Sequence, residues 1–167
     1  MNGWAIAGWK QVQVTSTWKQ VHFSGALQNG LTTLIFQMGG GGSFANGQQI
    51  QIWNAMMEDA GTAGTSTTNF LPYSQRLTAA TWGVSGGGLL DNSATAPDGT
   101  QTASTATAVS GSTDGYFIDS VPNSAPLGGL QVTASVWLRS ANPSQNLALT
   151  LIKVLALVGF RHLVRQQ

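Results

Sequence analysis

The sequence predicts an all-β protein built as a two-sheet antiparallel sandwich. Charged residues make up only 8% of the 167 residues, whereas glycine occurs 21 times, and this composition suits strands joined by turns. Apolar and polar residues alternate over several short segments with the period of two that marks a half-buried strand. The length suits one domain and is too short for two sandwiches of about 100 residues each.

Two similar segments near the amino terminus predict the first two strands. The strings WKQVQV and WKQVHF, at residues 9–14 and 18–23, alternate apolar and polar side chains. Both are predicted to turn their valines inward. The second then places His22 on the outer, polar face.

The segment 48–57 predicts a strand with an aromatic residue on its polar side. Ile52 and Met56 share one parity and are expected in the core, whereas Gln51 and Trp53 share the other. A shorter strand precedes it at 34–38.

The second half of the chain is predicted to add five strands. The clearest alternation runs through 130–140, where Trp137 again stands among polar neighbours. Glycine-rich or Pro/Asp/Gly stretches at 39–42, 86–88 and 96–99 predict loops. The five strands are expected at 69–74, 101–109, 116–121, 130–140 and 147–152.

The carboxyl-terminal residues differ from the rest of the chain. Residues 154–164 form a nearly continuous apolar run that ends in basic residues, and the run is too short to span a bilayer, which takes about 20 residues. An edge strand or a short helix that covers the sandwich is expected here. The alternative is an anchor for a partner or a membrane surface.

Composition argues against several classes of function. A formal net charge of +1 offers no basic surface for a phosphate backbone, so nucleic acid is not an expected partner. Cysteine is absent, which excludes disulfides. Patterns typical of catalysis, such as HExxH and the P-loop, do not occur, so an enzyme is not predicted. Residues 1–18 alternate instead of forming an apolar signal peptide.

Several strings resemble jelly-roll modules of phage tail and surface proteins, which are similar to carbohydrate-binding modules. The opening of such a module resembles NFLPYSQ, TW and ATAPDGTQTA, which lie between residues 69 and 103. Its closing half resembles WKQV, GQQIQIWNAMMEDAG and TS, which lie between residues 18 and 66. The sequence departs from the pattern at Asn54, Met57 and Arg76.

The two halves stand in inverted order, which predicts a circular permutation. Residues 1–153 are expected to form one sandwich, with 1–64 as the closing half, 65–153 as the opening half, and 154–167 as a tail. A single permuted domain is the preferred arrangement, because domain termini often lie close together. The alternative is that each half completes a neighbouring chain.

The resemblance implies binding of carbohydrate without catalysis. Sugar rings stack on aromatic side chains and hydrogen-bond to neutral polar groups, so a sheet face with tryptophan beside polar residues suits them. The alternative for each tryptophan is simple packing within the sandwich. Strand parity selects as candidate ligand-binding residues Trp53, Trp137, Gln51, Arg139, His22 and Gln37.

Jelly-roll modules of this kind also hold a structural calcium ion, which takes carboxylate and carbonyl oxygens. Glu58 and Asp98 are the candidate metal-binding residues. The alternative is that both are ordinary turn and strand-end residues.

The expected function is therefore glycan adhesion on a virion, or at an extracellular or cell surface, as part of a phage or bacterial assembly. A homo-oligomer is expected, since the apolar run 154–160 would be buried between subunits. The alternative function is a purely structural tail-fibre or capsid-surface module without a sugar ligand.

Overall fold

The computed structural model describes residues 3–27, 31–39, 47–60, 69–79, 81–108, 116–121, 128–140 and 145–155. These residues contain ten strands and no helix, hence no helix that is long and apolar enough to cross a membrane. The strands are β1 (Gly3–Val14), β2 (Lys19–Ala26), β3 (Leu31–Met38), β4 (Gln49–Asp59), β5 (Trp82–Ser85), β6 (Gly87–Ala94), β7 (Ala103–Ala108), β8 (Tyr116–Val121), β9 (Gln131–Ser140) and β10 (Gln145–Leu155).

The strands form two antiparallel sheets of five strands each. The β1 sheet has the order β1-β10-β3-β8-β5, and the β2 sheet has the order β2-β9-β4-β7-β6. Successive strands mostly alternate between the sheets, as the chain crosses the sandwich edge and returns. The predicted all-β, two-sheet antiparallel sandwich is confirmed.

The two predicted halves of the chain interleave in both sheets. β10 lies between β1 and β3, and β9 lies between β2 and β4. Along the chain the pairs run β1 with β10, β2 with β9, β3 with β8 and β4 with β7. These pairings show a two-sheet antiparallel sandwich, and the jelly-roll connectivity stays a prediction. The predicted circular permutation likewise stays a prediction.

The core lies between the inner faces of the sheets and follows the predicted alternation. Val12 and Val14 of β1 are buried, and so are Val21 and Phe23 of β2, while His22 between them is exposed. The largest side chains with almost no exposure come from four other strands and a connecting segment. They include Phe36, Leu34, Met38, Ile52, Met57, Leu71, Leu77, Leu138, Leu147, Leu149 and Leu151.

The prediction that Met56 shares the core side of β4 with Ile52 is wrong. The register against β9 shifts between Trp53 and Met56, and Asn54 has a φ of 50°, in the left-handed region. This β-bulge inserts an extra residue and reverses the parity of everything after it. Met57 is therefore buried, and Met56 is only half-buried.

The strand predicted at 69–74 is also wrong, although the segment does lie beside β4. The segment consists of bends and turns, and Tyr73 has a φ of 54°, outside the extended region of regular strands. The Asn69 side chain accepts hydrogen bonds from Met57 N at 2.8 Å and Leu71 N at 3.0 Å. With the backbone bonds from Phe70 N to Met57 O at 2.8 Å and from Ala55 N to Ser74 O at 3.2 Å, this amide engages β4 beyond the end of its pairing with β7.

Two further boundaries differ from those predicted. Gly86, with a φ of 71°, is the bend between β5 and β6, but Gly87 and Gly88 begin β6 and are not loop residues. At the other end, Val154 and Leu155 extend β10 and pair with both β1 and β3. The predicted tail therefore starts later than 154, and residues 156–167 lie outside the described part of the chain.

Candidate functional site

Most of the predicted binding residues meet on the outer face of the β2 sheet. β9 lies at the centre of this face and pairs with β2 on one side and β4 on the other. Trp137 is opposite Trp53 on β4 and opposite Gln20 on β2, and Arg139 is opposite Gln51. Alternation directs these side chains outward, because the residues next to them along each strand fill the core. These core residues are Val136 and Leu138 on β9, Val21 on β2 and Ile52 on β4.

Trp53 and Trp137 form an aromatic pair that a loop partly covers. Their ring centroids are 6.5 Å apart, the interplanar angle is 60°, and both side chains are half-buried. Trp53 Nε1 donates to Thr102 Oγ1 at 3.0 Å, and Trp18 Nε1 donates to Thr95 O at 3.2 Å. Trp18 and Trp53 also pack on the buried residues Ala94, Ala96 and Ala103. Trp18 and Trp53 thus support the 95–102 loop, and all three indole side chains remain partly open to solvent.

Arg139 is fixed beside this pair by two contacts. Its Nε donates to Gln51 Oε1 at 2.5 Å, and its guanidinium carbon lies 4.8 Å from the centroid of a Trp18 ring. A cation over an indole face is favourable, and the planar guanidinium retains further N–H donors. Arg139 is therefore held in a defined position with donors left for a ligand. Sequence reasoning missed Trp18, although it opens the WKQVHF string.

A groove lies next to Gln51, between β4 and β6. Its volume is about 440 Å³, and it crosses β7, whose polar side chains line it. Leu90 is 66% exposed there, and no heavy atom lies within 4 Å of a Cβ built on Gly88. The groove is thus open, with neutral polar walls and one exposed apolar side chain, Leu90. Its lining residues are Gln49, Gln51, Gly88, Leu89, Leu90, Ser93, Thr105 and Thr107.

Sequence reasoning missed this groove because it assigned 86–88 to a loop. A usable signal was present: the pattern of β7, in which Thr105 and Thr107 alternate with alanine, indicates a strand with a small, polar outer side. Ser93 Oγ lies 2.7 Å from Thr105 Oγ1 and 2.8 Å from Leu90 O. These bonds hold the hydroxyl groups at the bottom of the groove.

Two predicted ligand-binding residues lie away from the aromatic pair. Gln37 is on β3 in the β1 sheet, opposite Thr150 and Ile118, so it does not share the face with Trp53. Strand parity predicts which side of a sheet a residue takes, but not which sheet its strand joins. His22 is on the correct sheet and exposed, opposite Ser135 and nearer the β2 edge.

The predicted calcium ligands are not brought into one cluster with other acids. Glu58 is near the end of β4, opposite Thr133. Asp98 is fully exposed, and its Oδ1 accepts from Thr100 N at 2.9 Å and Thr100 Oγ1 at 2.7 Å, which lowers the pKa of the carboxyl. Across the described ranges, no group of three His, Cys, Asp or Glu residues could hold a metal ion. Asp98 has the geometry of a turn former, and the calcium ion stays a prediction.

Asp91 on β6 forms hydrogen bonds with the segment around Thr78 and with β7. Its carboxylate accepts from Ser104 Oγ at 2.6 Å, from Leu77 N at 3.0 Å, and from both Thr78 N and Thr78 Oγ1. Burial raises the pKa of Asp91, but these hydrogen bonds outweigh it, so the pKa is below its usual value. Asp91 ties the segment around Thr78 to β6 and β7, under the groove.

Replacing Asp91 by Asn is expected to lower the free energy of unfolding by about 2 kcal/mol, because an amide cannot accept from every donor that now faces the carboxylate. The depressed folded pKa makes the loss depend on pH. The loss of unfolding free energy is complete above the unfolded pKa of about 3.9, and it disappears as the pH falls through the folded pKa. Urea unfolding between pH 7 and pH 2.5 measures it.

The matched control is Asp98→Asn, which changes a carboxylate that only Thr100 engages. It should cost much less than Asp91→Asn at pH 7. Equal losses for both variants would show that Asp91 does not anchor the segment.

No protein-family model matches the chain, and neither does any curated protein or solved structure.

Proposed function

We propose that the chain is a non-catalytic carbohydrate-binding module that contacts a glycan with the outer face of the β2 sheet. The observation that carries this proposal is the groove of about 440 Å³ beside the aromatic pair, with neutral polar walls and the exposed Leu90. Amide and hydroxyl groups can both donate to and accept from sugar hydroxyls. Leu90 and the partly open indole rings offer apolar contact to the C–H faces of the sugar.

The arrangement suits a chain of sugars better than a single one. The groove lies across β4, β7 and β6, while the tryptophans and Arg139 lie on β4 and β9. Neighbouring strands are about 4.8 Å apart, so these four strands present a binding surface more than one sugar ring long. The proposed setting is a phage or bacterial surface assembly, on the virion or outside the cell.

A second candidate function is a purely structural module of a tail fibre or capsid surface. It is favoured by the hydrogen bonds that engage both Trp18 and Trp53 with the 95–102 loop. It is also favoured by exposed apolar residues on the β1 sheet, where Ile6 and Trp9 are each 63% exposed. Such residues suit the homo-oligomer that the sequence predicts, with subunits meeting at the β1 sheet.

A glycan array followed by calorimetric titration distinguishes the two functions. We expect binding in the micromolar to millimolar range, and we expect Gln51→Ala to weaken it by about 10-fold, because a hydrogen-bonding amide and the position of Arg139 are lost. Gln37→Ala is the matched control, since it removes the same side chain from the other sheet. It should change affinity less than two-fold.

The absence of any binding at millimolar glycan would support the structural module. Equal losses in Gln51→Ala and Gln37→Ala would show that a ligand binds elsewhere.

A further inference from the structure

A second, smaller pocket lies at the sandwich edge where β1 and β2 approach each other. Its volume is about 130 Å³. Among the described strands, β1 is the end strand of one sheet and β2 is the end strand of the other, so each pairs with a single neighbour and turns its other edge toward this pocket. The buried residues Val12 and Val21 border the pocket on the core side. The other lining residues are Lys10, Gln11, Gln13, Lys19 and Gln20.

The pocket combines two ammonium groups with amide donors. Lys10 Nζ donates one hydrogen bond to His22 O at 3.0 Å, which positions the amine and leaves two of its three N–H groups for a ligand. Lys19 is exposed. No carboxylate is among the lining residues, although the whole chain carries nearly balanced charge. The pocket therefore provides the donors that an anionic group requires and the positive charge that favours it.

This pocket continues the proposed glycan surface around the edge of the β2 sheet. Gln20 lines the pocket and is also opposite Trp137 in the β2–β9 ladder. Trp18, which stacks with Arg139, is the residue directly before Lys19. From the aromatic pair outward, the ligand would thus meet Arg139, Gln20 and the two lysines in turn. The one acidic side chain in the 95–102 loop is Asp98, and its Oδ1 already accepts hydrogen bonds from Thr100 N and Thr100 Oγ1.

We propose that the ligand is an acidic polysaccharide, and that Lys10 and Lys19 bind one of its carboxylate or sulfate groups at the β1–β2 edge. This inference rests on the proposed function, because the pocket alone is too small for a sugar chain. It narrows the ligand from any glycan to a polyanionic one. Sugar rings contact the sheet face, while the charged substituent reaches the edge.

The experiment compares an acidic oligosaccharide with its uncharged counterpart in calorimetric titration. Oligogalacturonate and its methyl ester share one skeleton, and heparin oligosaccharides test sulfate against carboxylate. We expect an acidic probe to bind about 10-fold more tightly than its neutral counterpart, since hydrogen bonds to charged groups are the stronger ones. Raising the salt concentration from 50 to 500 mM should remove most of that preference, because screening weakens exposed ion pairs.

Lys10→Gln and Lys19→Gln should each reduce the ratio of acidic to neutral affinity by about three-fold or more. Arg76→Gln is the control, because Arg76 is exposed in the 69–79 segment and outside both pockets, so it should keep the ratio of the wild type. Equal reductions in all three variants would indicate a general effect of net charge and would overturn the proposal.

The possible failures are distinguishable. Binding of neutral glycans with no preference for acidic ones would overturn the acidic ligand and leave the proposed function standing. Binding of inorganic sulfate without any oligosaccharide would also overturn it. Absence of binding to every acidic and neutral probe would overturn the glycan-binding function and this inference with it.

Discussion

Gly88→Leu is expected to weaken glycan binding by about 100-fold, or roughly 2.7 kcal/mol, while the protein stays folded. Gly88 lines the groove on the β2 sheet, and a Cβ built there meets no heavy atom within 4 Å. A leucine side chain therefore enters space that the proposed ligand would occupy and has no neighbour to clash with. Calorimetric titration measures the affinity.

A graded series makes this prediction sharper. Gly88→Ala should weaken binding less than Gly88→Leu, because it fills less of the groove. Both should raise or preserve the thermal unfolding midpoint, since glycine within a strand costs about 0.5–1 kcal/mol. Ser85→Leu adds the same bulk on β5, in the other sheet, and should not change affinity. Unchanged affinity in folded Gly88→Leu would show that the groove does not bind the glycan.

Gly8→Val is expected to lower the free energy of unfolding by about 3 kcal/mol, the upper part of the range for overpacking. A Cβ at Gly8 would lie 2.4 Å from Ser24 O and 3.1 Å from the Gly25 Cα, and these are backbone atoms that cannot rotate away. Gly25 makes the reciprocal approach, since its Cβ would lie 2.9 Å from Ala7 O. The sandwich edge thus closes because neither strand carries a side chain at this contact.

Urea unfolding of Gly8→Val, with Gly88→Ala as the control, tests this account. Gly8 and Gly88 both lie within strands, but a Cβ at Gly8 would meet backbone atoms, whereas a Cβ at Gly88 would enter open space. A loss below about 0.5 kcal/mol in Gly8→Val would mean that β1 and β2 separate easily. The pocket that contains Lys10 and Lys19 would then have no fixed shape.

The sequence predicted those parts of the fold that depend on local alternation. The near-repeat that contains His22 and the strand that contains Trp137 have regular patterns over several residues, and both formed as predicted. The bulge at Asn54 could not be predicted from parity, because a single left-handed residue leaves no periodic signal. The turns after Asn69 could not be predicted for a related reason: a side chain and two isolated backbone hydrogen bonds, not a regular ladder, engage β4 there.

Local alternation along the strands also explains why part of the candidate site could be predicted. Trp53, Trp137, Gln51 and Arg139 were placed on one face by parity alone, and register then brought them together. Gln37 was assigned to that face in error, because the sheet to which a strand belongs is set by pairing between distant parts of the chain. The groove depends on β6, a strand that begins with two glycines and so resembles a loop in sequence.

The central claim is that glycan binds the outer face of the β2 sheet, and nuclear magnetic resonance tests it most directly. Amide and indole signals of the labelled protein are followed while the tightest-binding oligosaccharide from the array is added. The account predicts that the largest shifts occur at Gln51, Leu90, Thr105 and the indole of Trp137. Shifts confined to the β1 sheet, at residues such as Gln37 and Thr150, or no shifts at millimolar ligand, would contradict it.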